Sequence, residues 1–195
     1  MKAFLPLALV LLALPAQAQN TAADVFMDGK DGAKVHVASG FVCPQKIGLF
    51  ERDAVGQSDV DGADFCSYAA LDGVYGTITI NKLTGDYDPK ASLAADFAEQ
   101  EGTGGKKVGE ATIKLNKQSP LSIYTRTYQT SSLEDLRYLV LYTGAAVNGW
   151  SLETTIEYAD PRDTPVEREF LDTVYAAAPA QIGHGAPPAP PPTTP

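Results

Sequence analysis

Histidine and cysteine are scarce in this chain, with two of each in 195 residues. Two separated histidines and two cysteines that can pair with each other do not make a zinc site. No G-x-S-x-G occurs, which removes the usual hydrolase elbow. No C-x-x-C occurs either, which removes the common redox pair. Gly102-Thr103-Gly104-Gly105-Lys106 looks like a phosphate loop but fails the pattern: the first glycine would fall at Gln100, and Lys107 stands where Ser or Thr is required. Basic residues are also few, 15 against 24 acidic ones, giving a formal charge of −9, and Lys106-Lys107 is the only adjacent basic pair. Nucleic acid and anionic membrane surfaces reward clustered Lys and Arg, so both are excluded as expected partners. No apolar run approaches the ~20 residues that cross a bilayer as a helix, so no membrane span is expected.

What is present begins with an export pattern. Met1-Lys2 is a short positive start, Phe4 to Leu14 is apolar, and Ala16-Gln17-Ala18 is the small-x-small sequence that signal peptidase cuts, between Ala18 and Gln19. The residue after the cut is Gln19 and not a cysteine, so nothing supports a lipid anchor. The expected organisation is a signal peptide over 1–18, one exported domain over 19–178 and a disordered Pro-rich tail over 179–195, in a periplasmic or secreted protein. Cys43 and Cys66 then meet an oxidising environment and are expected to form one structural disulfide, constraining the unfolded chain by about 3 kcal/mol. In the tail, Pro187 to Pro192 favours extended polyproline geometry, which serves as a spacer, a ligand for a partner, or an inert end.

Periodicity predicts an α+β domain, mainly antiparallel sheet flanked by two helices. Strands are expected at Lys34–Ala38, around Ile47–Arg52, and as a hairpin of Ala63–Ala69 and Val74–Asn81 turned through Leu71-Asp72-Gly73. A helix opens at Asp88-Pro89, where the carboxylate caps and proline fits the first turn, and it fades by Glu101. Strands follow at Val108–Leu115, Leu121–Gln129, Leu136–Ala145 and Trp150–Tyr158, the last two joined by Asn148-Gly149, a strong hairpin signal. In the last strand Trp150, Leu152, Thr154, Ile156 and Tyr158 share one face and Ser151, Glu153, Thr155 and Glu157 the other, which predicts a sheet with one covered side. A second helix has Thr164 and Glu167 as a capping box, Pro165 in its first turn, and a stripe of Val166, Phe170, Leu171 and Val174.

Three groups of residues could carry chemistry. The acidic segment between the cysteines holds Glu51, Asp53, Asp59, Asp61 and Asp64 and reads as a polar loop. Asp59-Val60-Asp61-Gly62 resembles part of a calcium loop, but the EF-hand positions one and twelve fall on Gln57 and Tyr68, neither of which is a carboxylate. A calcium ion on Asp59, Asp61 and Asp64 stays open as an alternative to no cofactor. His36 would have to be the base of any Ser–His–Asp arrangement, because His184 lies in the tail. It alternates with Val35 and Val37 and is expected to face solvent. Tyr124, Arg126 and Tyr128 on one strand, with Tyr138 and Tyr142 on the next, could form a flat binding platform, or could simply pack cross-strand.

The strands Leu136–Ala145 and Gly149–Ala159, followed by Asp160-Pro161 and a helix through Phe170 and Val174, resemble the PsbP/Mog1-like α+β fold. The resemblance lies in the C-terminal third, covers about a quarter of the chain and rests on pattern, not on an invariant motif. It implies a curved antiparallel sheet with flanking helices and a non-enzymatic accessory or binding role. The leading expectation is therefore a binding or accessory protein of the cell envelope, with an envelope protein or a small ligand as partner. The alternatives are a hydrolase using carboxylates of the Glu51–Asp64 region and a calcium-stabilised interaction protein.

Overall fold

A computed structural model describes residues 25–71, 74–117, 119–131, 136–161 and 163–183. The expected signal peptide with its Ala18–Gln19 junction, the expected turn at Asp72-Gly73 and His184 lie outside the described residues. Strands β1 (Phe26–Asp28), β2 (Lys34–His36) and β3 (Val42–Cys43) form a small antiparallel sheet. The main sheet has eight strands: β4 (Lys46–Ile47), β5 (Phe50–Gln57), β6 (Asp64–Ala69), β7 (Tyr75–Lys82), β8 (Lys106–Ile113), β9 (Ile123–Ser131), β10 (Arg137–Val147) and β11 (Trp150–Ala159). Helices α1 (Pro89–Ser92) and α2 (Ala94–Gly102) lie between β7 and β8, and α3 (Thr164–Gln181) follows β11. The order across the main sheet is β4-β5-β6-β7-β11-β10-β9-β8, all antiparallel. The chain thus leaves β7 in the middle, crosses through α1 and α2 to the far edge at β8, and returns inward.

The mainly antiparallel α+β architecture matches the expectation, and the described residues hold three helices where two were expected. Asp88 caps α1 as expected, its side chain accepting from Lys90 N at 3.0 Å. The helix then breaks at Leu93, whose ψ of 12° leaves the helical region, and resumes as α2. At Asn148-Gly149 both residues have positive φ, 49° and 81°, as a tight two-residue hairpin needs, and they set Val147 opposite Trp150.

Both faces of the sheet are covered, a correction to the single covered side. On one face, α3 lays Phe170, Leu171, Val174 and Tyr175 over Ile78, Ile80, Leu141, Leu152 and Ile156, all buried. Phe170 meets Phe50 and Tyr68 edge-on at centroid distances of 5.1 and 5.9 Å. Beneath it is Gly76, where an added Cβ would lie 2.6 Å from Phe170 Cε2, so only glycine lets the ring settle on β7. On the opposite face, Leu93 and Phe97 cover Tyr124, Tyr128, Val140 and Tyr142. The polar side of β11 does not face solvent as its charge suggests: Glu153 is buried and accepts from the Tyr87 hydroxyl at 2.7 Å, and Thr155 and Glu157 are half-buried.

Three boundaries move for physical reasons. The cap of α3 is Asp163, which accepts from Val166 N at 3.1 Å, not Thr164. Glu167, expected to complete the capping box, turns inward instead and accepts from the Tyr158 hydroxyl. The acidic segment is mostly a hairpin of β5 and β6, with a loop only at residues 58–63. The domain boundary expected at residue 179 also moves, since α3 runs through Pro179 to Gln181, and positions 184–195 of the expected tail lie outside the described residues. Ala178 and Ile182 are fully buried, Asn148 Nδ2 donates to the carbonyls of Pro179 and Ile182 at 3.2 and 2.8 Å, and Gly183 N donates to Ser39 O at 3.0 Å. These contacts hold the last turn, which proline alone would weaken.

Candidate functional site

The five residues of the expected platform lie on β9 and β10, and Tyr124, Tyr128 and Tyr142 do converge. They are not exposed. Phe97 of α2 sits among them at centroid distances of 6.4, 6.0 and 5.7 Å, making a small second core. Burial pushes the Tyr142 hydroxyl up to about 12 and raises Tyr124 and Tyr128 as well. Arg126 stacks its guanidinium 3.9 Å from the Phe97 ring centroid and donates to the Tyr128 hydroxyl at 3.3 Å. Tyr138, further along the same face of β10, is half-buried. The platform expected from strand alternation is therefore the floor under a helix. The strand pattern could not show this, because the ring that covers it comes from another segment.

At the border of this cluster, Glu110 of β8 collects three cations. Lys90 Nζ is 2.7 Å away, Lys107 Nζ 2.9 Å and Arg126 Nη2 3.4 Å. The Lys90 and Lys107 ammonium groups hold its carboxyl well below the usual range. The knot fastens the α1 side of the molecule to β8 and is well exposed, so its contribution to stability is small.

The most site-like geometry lies on the other side of β8. This strand is the last of the sheet and, among the described residues, pairs only with β9. Its eight residues are exposed or half-exposed throughout. Gly109 and Ala111 stand opposite Thr127 and Thr125, so this strip of sheet carries small side chains on the α3 side. Helix α3 passes at a distance, and a cavity of about 480 Å³ opens between them. Its far wall is the first half of α3: Thr164, Glu167, Arg168 and Leu171. Arg168 closes one end, donating to the Leu115 carbonyl past the end of β8 and to Asp172 Oδ2 at 2.8 Å. The result is a trough over the outermost strands of the sheet, reaching from β8 across β9 to Leu141 of β10 and floored mainly by glycine, alanine and threonine. The register shift between Lys107 and Gly109 marks a bulge in this strand.

His36 is a second correction. It is buried, not solvent-facing: Nε2 lies 2.9 Å from Asp64 Oδ2 and Nδ1 lies 2.7 Å from Ser39 Oγ. The Ser39 backbone N–H points at Nδ1 from 3.3 Å, which puts the ring proton on Nε2 as donor to Asp64. The alternation was right and the side was wrong. Val37 is the exposed partner, while the imidazole is flanked by Phe26 and Trp150 at 5.2 and 5.4 Å. The bond order is that of a Ser–His–Asp triad, but Ser39 and His36 are 0% and 1% exposed. Ser39 Oγ is also held by Phe41 N at 3.1 Å. No substrate can reach a hydroxyl so enclosed, and the arrangement works as a pin between the small sheet and β6.

The remaining acidic residues disperse. Glu51 pairs with Lys46 at 3.5 Å, Asp53 accepts from Ser67 Oγ, and Asp64 takes Gln57 Nε2 at 3.1 Å besides His36. Asp61 turns the loop by accepting from Ala63 N at 3.1 Å, and that hydrogen bonding, with Ser58 first, keeps its carboxyl low. Asp59 is exposed. Among the described residues no three His, Cys, Asp or Glu side chains are grouped as a metal would require. Cys43 and Cys66 form the expected disulfide, joining β3 to β6. No helix among the described residues is long and apolar enough to cross a membrane.

No protein-family model matches this chain, and no curated protein matches it in sequence.

Proposed function

We propose that the protein is an exported, non-enzymatic binding module of the cell envelope, and that it takes an extended polypeptide segment as an added strand on β8. The observation that carries this reading is the eight-residue edge strand lying open beside a 480 Å³ trough. An unpaired strand offers a row of backbone donors and acceptors, and an adjoining groove takes alternate side chains of the incoming chain; together they define strand-addition recognition. The disulfide and the apolar leader support the export part of the reading. The rival hydrolase gains no convergent pair from the carboxylates between residues 51 and 64, since each serves a different local contact.

Selection of random dodecapeptides on the immobilised protein tests the reading. Bound peptides should be rich in β-branched residues and should slow amide exchange over 106–113. Peptides that bind tightly yet protect only segments remote from β8, such as the α2 face, would remove the proposal.

A further inference from the structure

Charge is unevenly placed along this acidic chain. Five of its 15 basic residues but only one of its 24 acidic residues fall within positions 106–126, which span β8, the turn and the first half of β9. The single acid, Glu110, is taken up by Lys90, Lys107 and Arg126. Lys106, at the start of β8, and Lys114 and Lys117, just past its end, form no ion pair among the described residues, and all three are exposed. Unpaired ammonium groups therefore stand at both ends of the open edge, on a protein of net charge −9.

Resting on the strand-addition reading, we infer that the segment captured on β8 is acidic, with small or β-branched residues facing the trough and carboxylates near its two ends. The register supports this division. Gly109 and Ala111 turn toward the α3 side, where the alternate side chains of a neighbouring strand would stand beside these small residues at the border of the trough. Lys106 shares that side at one end, and Lys114 follows Ile113 at the other. Opposite charges directly across a strand pair are favourable and like charges are not. Exposed lysines and a bulge also make an open edge less welcoming to indiscriminate pairing. The edge is thus biased toward a partner of opposite sign.

Three acetylated nonapeptides alternating Val with Glu, Gln or Lys are the probes, read by fluorescence anisotropy and by amide exchange of β8 in the intact protein. The Glu peptide should bind about ten-fold tighter than the Gln peptide, a difference of about 1.4 kcal/mol, and should slow exchange over 106–113. That preference should vanish in about 1 M salt, where screening confines charge interactions to ~3 Å, and in the double variant Lys106→Glu, Lys114→Glu. If the Gln and Lys peptides protect β8 as well as the Glu peptide does, strand addition stands and its acidic preference is refuted. If none of the three alters exchange at β8 while the protein remains folded, strand addition itself is refuted.

Discussion

The two edges of the large sheet are finished in opposite ways. At one end, β4 is two residues long, Ile47 is fully buried, and the surrounding chain is sewn down. The disulfide leaves from Cys43 three residues before it, the Tyr68 hydroxyl donates to Pro44 O at 3.0 Å, and Arg52 donates to the carbonyls of Cys43 and Gly32 at 2.7 Å each. At the other end, β8 offers eight residues with no covalent tie and no fully buried side chain. A bare edge invites wrong partners, and proteins blunt it by brevity, by covering, or by bulges and lysines. Here β4 is protected by the first two devices and β8 by the last two. Brevity and covering shut out every partner. A bulge with lysines shuts out only some, so the contrast separates an edge that is sealed from one that is selective.

The sealed side should be the one on which stability depends. Phe170→Ala removes the ring that joins α3 to Phe50, Tyr68 and Gly76, and urea unfolding should show a loss of about 3–5 kcal/mol. A loss below 1 kcal/mol would mean that α3 does not rest there. Replacing Cys43 and Cys66 together by alanine frees a 23-residue separation and should cost about 3 kcal/mol, with the β4 and β5 amides exchanging fastest. Equal acceleration at β8 would erase the distinction between the edges. His36→Leu keeps the volume but strips Ser39 and Asp64 of their shared partner, and should cost about 1–3 kcal/mol. The effect should localise to the small sheet and β6. At the selective edge, Val108→Lys adds charge to an exposed position on the bulged strand and should shift stability by no more than about 0.5 kcal/mol. A multi-kcal loss in that variant would show that β8 is part of the core and not a free border.

The sequence showed what is local. Asn148-Gly149, Asp88-Pro89, the alternation of β11 and the cysteine pair each carry their own reason within a few residues. It hid what depends on distant partners. His36 sits in a strand whose period is legible, yet the choice of inner side was made by Asp64, Ser39 and Trp150, none of them adjacent on the strand. The tyrosines of β9 and β10 are legible as a cluster, and Leu93 and Phe97, four apart, are legible as the core-facing side of a helix, but nothing local says that the one covers the other. Beyond the strand expected around Ile47–Arg52, Asp53–Gln57 reads as loop because Asp53, Gly56 and Gln57 break the pattern of a strand that pairs with β6. The position of β8 at the border followed from the crossing between β7 and β8, which no local pattern encodes. The signals for the trough were weak but present: two lysines, then Gly109 and Ala111, on a segment otherwise patterned as strand.

Gly183 donates to Ser39, Gln181 accepts from Val42 N at 3.1 Å, and Asn148 clasps the carbonyls of Pro179 and Ile182, so the small sheet and the last turn of α3 meet at one pole. The trough lies beside the opposite half of α3, roughly 20 Å along the helix axis from Gly183 at 1.5 Å per residue. Whatever attaches at that pole therefore sits a helix length away from the open border and leaves it unobstructed.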